Sequence, residues 1–336
     1  MTLPPGKIPL DILKDTVFRN LGAERPEIAL GPSAGIDGAV INIGNTSIIS
    51  SMDPITAATD NIGWLAVNIN ANDVATFGCQ PKFMLSTILL PEKSTKTTVE
   101  TITKQIGTAA EELGIAIIGG HCETTPHLKT PIVIGCAIGT THKNNYVTAA
   151  GAKQHDKLIL TKSAGIEGTA ILATERHTQL SRALDKNILE KAKQFYKRIS
   201  IVKDAITAFT TGGVHAMHDP TEGGITGAIH EMADASNLGI KILRKKIKVE
   251  PETETICNFY QIDPLQLIAS GSLLIAADPK HAKKIVQTLR KNMIHADIIG
   301  EFQPSPKKRL LITENAKPEA LPRPLNDVLW TALNIH

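Results

Sequence analysis

The alternation of apolar and polar residues predicts a hairpin and two helices in the first third of the chain. Residues 39–50 read AVINIGNTSIIS, two alternating runs around a Gly-Asn pair that tolerates the positive φ of a tight turn. Residues 60–78 carry apolar side chains at i, i+3, i+4 and i+7, the period of a helix. A second helix is predicted to begin after an N-cap at Ser94 and to end at Gly114, which enters the left-handed cap conformation at little cost.

Short apolar runs in the rest of the chain predict strands mixed with further helices. The basic run Arg244–Lys248 alternates like an exposed edge strand. Strands are also predicted at 115–118, 131–138, 157–161, 273–277, 296–299 and 309–313, and helices at 186–209, 221–238 and 281–291. This mixture favours an α+β class with two domains of α/β type over one doubly wound sheet. We expect the boundary near residues 149–154, with domains at 1–150 and 151–336.

The composition excludes several classes of protein. Across 336 residues, 36 Lys and Arg against 33 Asp and Glu give a net charge of +3, too weak and too dispersed for a nucleic-acid surface. Only 4% of the residues are aromatic, which leaves few platforms for base stacking. No apolar run approaches the roughly 20 residues that span a bilayer, and no secretory signal is visible. Four scattered cysteines indicate reduced thiols, so we expect a cytoplasmic protein that binds neither nucleic acid nor membrane.

Acidic residues beside Gly, Pro or Asn are the strongest chemical signal, because common fingerprints are absent. The chain lacks a P-loop, a G-x-G-x-x-G after a strand, a serine-hydrolase elbow and an H-E-x-x-H helix. Carboxylates at the ends of elements suit Mg²⁺ that bridges to phosphate oxygens. Each one alone is more typical of a turn or cap, and only the joint pattern favours a metal site. The set comprises Asp37, Asp53, Asp73, Glu123 and Asp219.

Two glycine pairs adjoin these acids. In HDPTEGG, residues 218–224, Asp219 or Thr221 is predicted to cap a helix that begins near Glu222, whose first amides would favour a phosphate. The glycines that follow permit a ligand to approach the backbone. A second pair, Gly119–Gly120, is predicted to end a strand and to line a phosphate site. His121 follows it as a ligand contact or acid–base group, although a lone His is more often structural.

Eight strings recur in order and at family-like spacing over nearly the whole chain: GKIPLDIL, GIDGA, DPIT, NANDVATFG, GGHCETTP, TKSAGIEGTA, HDPTEGG and IDPLQLIASGSLL. On these strings the chain resembles the aminoimidazole ribonucleotide (AIR) synthetase, or PurM-like, superfamily. That superfamily includes the hydrogenase-maturation protein HypE, thiamine-monophosphate kinase and selenophosphate synthetase, and the resemblance is strongest to HypE and archaeal AIR-synthase-related proteins. It implies an N-terminal domain that dimerises through its sheet and a C-terminal, sandwich-like α/β domain packed against it.

The resemblance also implies that ATP and Mg²⁺ bind in the cleft between the domains. Leu30–Gly38 would form a flap over the phosphates, and Glu167, together with Lys162, would contact substrate. The implied metal ligands are Asp37, Asp53, Asp73, Glu123 and Asp219. The implied nucleotide-binding residues are Asp37, Asp53, Asn72, Asp73, Gly119, Gly120, Lys162, Thr221, Gly223 and Gly224. The implied catalytic residues are Asp73, His121, Glu123 and Asp219.

The chemistry shared by the superfamily is ATP-dependent phosphorylation of an amide or carbonyl oxygen, which turns that oxygen into a leaving group. Such a protein mainly positions the γ-phosphoryl group, neutralises its charge and excludes water. The expected partners are a small-molecule or protein-borne amide or carbamoyl substrate, a second copy of the chain, and a protein of a maturation complex.

Three departures from HypE limit the transfer of its activity. HypE has a C-terminal cysteine that receives a carbamoyl group, whereas this sequence ends in His336. HypE has a glutamate where this chain reads Ala269–Gly271, and Glu222 and His121 stand where HypE has an arginine and an aspartate. Self-carbamoylation at a terminal thiol is therefore not expected. Two alternatives stay open: a non-catalytic, nucleotide-binding HypE-like scaffold, and a small-molecule kinase of thiamine-phosphate-kinase type, from whose helix-start motif DPTEGG departs.

Overall fold

The computed structural model describes residues 6, 8–33, 35–56, 60–313, 315 and 317–334. Ala34, in the middle of the flap that the resemblance implies, lies outside the described residues, as does His336. Across the described residues, no helix is both long enough and apolar enough to cross a bilayer.

The first sheet has six strands in the spatial order β1-β2-β3-β6-β4-β5, with β4 and β5 parallel and the other neighbours antiparallel. The strands are β1 (Ile28–Leu30), β2 (Ala39–Ile43), β3 (Thr46–Ile55), β4 (Pro81–Leu90), β5 (Ala116–Thr124) and β6 (Ile132–His142). The predicted hairpin is confirmed, since β2 and β3 pair from Ala39–Ser50 to Ile43–Thr46. The last two strands continue beyond their predicted ends.

The second sheet has seven strands in the order β13-β12-β9-β11-β7-β10-β8, and only β9 and β12 pair in parallel. The strands are β7 (Lys157–Thr161), β8 (Val214–His218), β9 (Gly239–Leu243), β10 (Leu274–Ala277), β11 (Ala296–Gln303), β12 (Arg309–Ile312) and β13 (Pro318–Ala320). Its central strands bury both faces: Leu158 and Leu160 pack into one core cluster and Ile159 into another. Arg244–Lys248 is not the edge strand that its alternation predicted, because Arg244–Lys246 form an exposed 3₁₀ turn.

Eleven helices are assigned within the described residues. They are α1 (Leu10–Asp15), α2 (Ile62–Thr76), α3 (Lys96–Leu113), α4 (Ile166–Glu175), α5 (His177–Leu180), α6 (Lys186–Lys193), α7 (Val202–Thr211), α8 (Gly224–Ala235), α9 (Pro251–Tyr260), α10 (Pro279–Lys291) and α11 (Val328–Asn334). The predicted end of α3 is confirmed, with Gly114 at φ 68°. Its predicted N-cap was wrong: Thr95 caps the helix through a reciprocal capping box with Thr98.

Helix α2 lies between the two domains. The spacing of apolar residues predicted this helix, and the structure buries nearly every residue of α2, including Asn70, Asn72 and Asp73. One side covers β3 and β6, and the other contacts α7 and β8 of the second domain. A helix that is buried all round belongs to an interior. The residues on its polar positions therefore face protein rather than water.

Two predicted helices were wrong in their limits. Residues 186–209 do not form one helix, because a 3₁₀ segment and the irregular residues 199–201 separate α6 from α7. The interruption leaves the Ile199 carbonyl and the Ile201 amide free of helical bonding, and both bond to Asn72. Helix α8 begins at Gly224 rather than near Glu222, because Gly223 and Gly224 have φ values of 82° and 61°.

Candidate active site

Helix α2 and strand β3 hold two aspartates at the inner end of the cleft. Asp73, on α2, is buried, and its Oδ2 lies 2.8 Å from the Ser51 hydroxyl of β3. The same hydroxyl donates to the Asp37 carbonyl oxygen at 2.5 Å. The Asn70 side chain accepts from the Asp53 amide at 2.8 Å and donates to its carbonyl at 3.2 Å. Ser51 and Asn70 thus fix the backbone that carries Asp37 and Asp53.

Four aspartates that are far apart in the sequence meet here. Burial raises the pKa of Asp73 well above its usual range, and the charges of Asp219, Asp53 and Asp37 raise it further. Three of these side chains come from the first domain, whereas Asp219 follows directly after β8 in the second. We call these four residues the aspartate cluster. The structure therefore brings together four of the five predicted metal ligands, although their role as ligands stays a prediction.

His218 joins the aspartate cluster to helix α8. Its Nδ1 lies 2.7 Å from Asp37 Oδ2, and its Nε2 lies 2.8 Å from Glu231 Oε2. Burial acts to lower the pKa of His218, but the two carboxylates outweigh burial and hold that pKa well above its usual value. Side-chain atoms of Asp37, His218 and Asp219 lie within 4.8 Å of one another, but an imidazole held protonated between two carboxylates has no lone pair to offer a metal ion.

The predicted cap of α8 was wrong, because neither Asp219 nor Thr221 caps that helix. The Gly223 amide instead donates to Asp327 Oδ2 at 2.7 Å, a bond from the far C-terminal segment. Gly224 is required by packing: a Cβ there would lie 2.6 Å from the carbonyl oxygens of Leu265 and Leu267. Thr221 lines the pocket described below. The glycine pair thus brings three chain segments together, and its contact with nucleotide stays a prediction.

The second glycine pair lies in the middle of β5, not at its end, as the sequence had predicted. A Cβ on Gly120 would lie 1.8 Å from the Ser86 carbonyl oxygen, so close strand packing accounts for this glycine. His121 and Glu123 are exposed and lie 3.1 Å apart. Gly120 stands in register with Asp53 three strands away, about 14 Å at the usual strand spacing. Within one chain, His121 and Glu123 therefore lie away from the aspartate cluster.

Asn72 and Lys162, two of the implied nucleotide-binding residues, form hydrogen bonds with residues 199–201 of the second domain. The Asn72 side chain donates to the Ile199 carbonyl at 2.9 Å and accepts from the Ile201 amide at 2.8 Å, and so ties α2 to the second domain. The Lys162 ammonium donates to the Ser200 carbonyl at 2.6 Å and lies 3.3 Å from Asp204. The nucleotide roles of Asn72 and Lys162 stay predictions.

A half-open pocket of about 120 Å³, which we call the interdomain pocket, adjoins the aspartate cluster at Asp53. It is lined by Asp53, Pro54, Ile55, Thr56, Leu65, Ile69, Glu167, Ile171, Thr221, Glu222, Ile268, Ser270, Asp327, Leu329 and Trp330. Burial raises the pKa of Glu167 to about 7 and that of Asp327 to about 6. A larger groove of about 840 Å³ runs from Asp37 between α1 and α8, within the usual size range of ligand pockets.

Several residues of the site were missed by sequence reasoning. Ser51 and Asn70 lie within two or three residues of predicted ligands, so their position along the chain was a usable signal. Glu231, Asp327 and Trp330 had no such signal, because only the tertiary fold brings α8 and the C-terminal segment to the cleft.

Comparison with known proteins places this geometry in a family. Residues 35–141 match the model for the AIR synthase related protein, N-terminal domain, and residues 153–313 match the model for its C-terminal domain. A Methanocaldococcus jannaschii protein named for hydrogenase expression or formation is 27% identical over 302 residues, 88% of each chain. The carbamoyl dehydratase HypE of Rhizobium leguminosarum bv. viciae is 25% identical over 273 residues, 79% of this chain and 75% of its own.

Solved structures show the same fold. HypE in its complex with HypF superposes with a TM-score of 0.76 at 22% identity, covering 93% of this chain and 99% of that one. HypE in complex with ATP gives 0.73 at 20% identity, over 97% and 98%. The thiamine-monophosphate kinase of Aquifex aeolicus gives 0.68 at 16% identity, over 93% and 100%. The predicted family and the two-domain, PurM-like fold are confirmed. The exact domain limits stay predictions.

Proposed function

Because this chain belongs to the AIR synthase related protein family, we propose that it is an enzyme that uses Mg·ATP to phosphorylate an amide or carbonyl oxygen. The observation that carries the proposal is the aspartate cluster, which gathers four carboxylates from both domains around a buried Asp73. Such a concentration of like charge is costly for a fold to keep unless it serves a cation. The relatives named carbamoyl dehydratase and the HypE complex with ATP support the same reaction class.

The donor set of the cluster fits Mg²⁺. Asp37, Asp53, Asp73 and Asp219 offer carboxylate oxygens, the hard ligands that this ion prefers. These four residues would hold the metal, and a bound Mg²⁺ would supply positive charge against the phosphates of ATP. The raised pKa of Asp73 has the same implication, since a cation close to that carboxyl would favour its ionised form.

The chain's own residues would then orient the reactants and exclude water. Ser51 and Asn70 hold the backbone of two ligands in fixed positions, so little reorganisation is needed when phosphates bind. The Asn72 side chain ties α2 to residues 199–201 and keeps the two halves of the cleft together. The acceptor would enter the interdomain pocket, which reaches the cluster at Asp53. No side-chain nucleophile is required for a direct transfer to the acceptor oxygen.

We also propose that the protein works as a homodimer formed through the first sheet. One face of this sheet, here called the open face, exposes apolar side chains, unlike the second sheet; they are Ile41, Ile43, Met52, Phe83 and Leu85. The edge strand β5 also exposes Ile117 and Ile118. An exposed apolar patch of this kind is typical of a protein–protein interface. A second copy of the chain that packs on the open face would cover β5. The His121 and Glu123 side chains of one copy would then approach the aspartate cluster of the other copy, which they do not reach within their own chain. The HypE–HypF complex further suggests a maturation partner.

The decisive experiment is a calorimetric titration with Mg·ATP of the wild type, Asp73→Asn and Asp185→Asn. Asp185 caps the distant α6, where Asn is an equally good cap, so this variant is the matched control. We expect magnesium-dependent binding that weakens at least tenfold in Asp73→Asn and is unchanged in the control. Equal binding by all three proteins, or none that depends on Mg²⁺, would contradict the proposal. Binding without ADP release for any amide or carbamoyl acceptor would favour the scaffold function instead.

A further inference from the structure

Residues 196–201, here called the α6–α7 linker, lie where the second domain contacts α2. The α-helical bonding of α6 stops before them, so their backbone groups are available to other elements. Near the start of α2, the Trp64 indole N–H donates to the Tyr196 carbonyl at 2.9 Å. Near its end, the Asn72 side chain bonds to the linker at residues 199 and 201, at 2.9 and 2.8 Å. The linker therefore holds α2 at two points.

Lys162 binds two linker carbonyls that α2 does not use. Its ammonium group donates to the Ser200 carbonyl at 2.6 Å and to the Arg198 carbonyl at 3.3 Å. The same group lies 3.3 Å from Oδ2 of Asp204, in the first turn of α7. A Lys ammonium has three N–H donors and no acceptor, so these three partners use all of its hydrogen-bonding capacity.

The surroundings of Lys162 keep its ammonium on the linker. The residue follows β7 directly and has a φ of 53°, unusual for a residue with a Cβ, and its amide donates to the His295 carbonyl at 2.8 Å. Its side chain is 15% exposed and that of Asp204 is 2% exposed. To reach a phosphate, the ammonium would have to leave Asp204 unpaired in the interior, which is costly.

The position of the linker matters because the aspartate cluster is assembled from both domains. Asp73 follows Asn72 directly on α2, whereas Asp219 belongs to the second domain. Asn72 is fully buried and bonds to the linker, so a shift of the linker would move α2 relative to Asp219. Mg²⁺ requires a near-ideal octahedral arrangement of oxygens. A contact that fixes the linker would therefore also set how well the cluster binds this ion.

We propose that Lys162 is a positioning residue of the aspartate cluster: its ammonium fixes the α6–α7 linker, and the linker, through Asn72, sets the position of Asp73 relative to that of Asp219. Lys162 thus acts on the metal and the nucleotide without touching either. This inference rests on the function proposed above, since it concerns how the same cluster is held.

Three variants test the role of Lys162. Lys162→Met removes the ammonium and leaves Asp204 as a buried charge without its cation. The double variant, Lys162→Met with Asp204→Leu, removes both charges, a replacement that buried ion pairs often tolerate without loss of stability. Lys203→Met is the matched control, because that exposed lysine of α7 also donates to a backbone carbonyl, the Asn292 carbonyl at 3.1 Å, outside the linker.

Three measurements are made on the wild type and each variant: hydrogen exchange by mass spectrometry on peptides that cover the linker, calorimetric titration with Mg·ATP, and urea denaturation. We expect linker exchange at least tenfold faster and Mg·ATP binding at least fivefold weaker in both Lys162 variants. Lys162→Met should be less stable than the wild type, whereas the double variant should recover wild-type stability. Its weaker binding would then not come from partial unfolding. Lys203→Met should match the wild type in all three measurements.

The inference is overturned if the double variant binds Mg·ATP as tightly as the wild type, since Lys162 would then only neutralise Asp204. Weaker binding with unchanged linker exchange would also overturn it, because that result indicates direct contact between Lys162 and the nucleotide. A wild type that does not bind Mg·ATP would reject the proposed function. The exchange rates would still decide whether Lys162 fixes the linker, so the two failures are distinguishable.

Discussion

The open face and the interdomain cleft both depart from the usual rule that apolar side chains are buried and charged side chains are exposed. The open face keeps large apolar groups in water, with Met52 63% exposed and Ile43 59% exposed. The cleft does the opposite and removes acids from water, including Asp73, Glu167 and Asp327. Exposed apolar patches and buried charges are the departures from ordinary burial that carry functional information. We expect binding to complete each region: an apolar surface would cover the open face, and cations would enter the cleft.

The largest effect should come from removing a buried acid. The pKa of Glu167 is about 7 in the folded chain against an ordinary 4.5, so its ionisation opposes folding increasingly as the pH rises through that window. Above pH 7 this cost approaches about 3 kcal/mol. We therefore expect Glu167→Gln to raise the free energy of unfolding by about 3 kcal/mol at pH 8 and to change it little at pH 4. Urea denaturation at both pH values checks this, and a gain that does not depend on pH would contradict it.

Replacing His218 should change the free energy of unfolding by a somewhat smaller amount, and should lower it. Its imidazolium neutralises Asp37 and Glu231, and Glu231 is 40% exposed, which reduces the strength of that half of the contact. We expect His218→Gln to lower the free energy of unfolding by about 2 kcal/mol at pH 7, because Asp37 is left near the other aspartates. His281→Gln is the control, since that half-exposed side chain should change stability by less than about 0.5 kcal/mol. Equal losses in the two variants would show that His218 is no more than an ordinary polar residue.

A substitution on the open face should have the smallest effect on the stability of a single chain and the largest effect on assembly. Leu85 is 38% exposed there, so Leu85→Glu should cost a single chain less than about 1 kcal/mol. It should nevertheless convert a dimer to a monomer of 36.1 kDa, because it places a charge within the proposed interface. Light scattering coupled to size exclusion measures the mass. Met293→Glu, at a position that is 92% exposed in the second domain, should leave the dimer intact.

The sequence predicted an element correctly where residues close together along the chain determine its structure. The Gly-Asn turn and the Gly114 cap depend on the backbone freedom of a few residues, and both are found as predicted. The start of α8 and the break before α7 were wrong, because contacts from distant segments decide them: Asp327 binds the Gly223 amide, and Asn72 binds residues 199–201. Such contacts leave no local trace in the chain.

The residues of the site also fall into two groups, those that the local sequence indicated and those that only the fold brings together. The aspartate cluster was accessible from the sequence, because each acid stands beside residues that mark the end of an element, although the meeting of Asp219 with Asp73 required the fold. The interdomain pocket as such was not accessible, although three residues of its lining, Asp53, Glu167 and Thr221, already carried implied site roles. Trp330 joins Glu167 because α11 packs on α4, and Ser270 follows the Ile268 carbonyl that accepts from the Gly168 amide of α4. A pocket that opens between two domains has no sequence period of its own.

The bond between Asp327 and the Gly223 amide also sets an order of events during protein synthesis. The two residues are 104 positions apart, so the ribosome completes the start of α8 long before it adds the carboxylate that bonds there. Every assigned strand of both sheets has been translated when Asp327 is added, since β13 ends at Ala320, yet the wall formed by Leu329 and Trp330 is still missing. The nascent chain therefore carries its aspartates in an incomplete cleft, and the interdomain pocket closes only after residues 327–330 have been added.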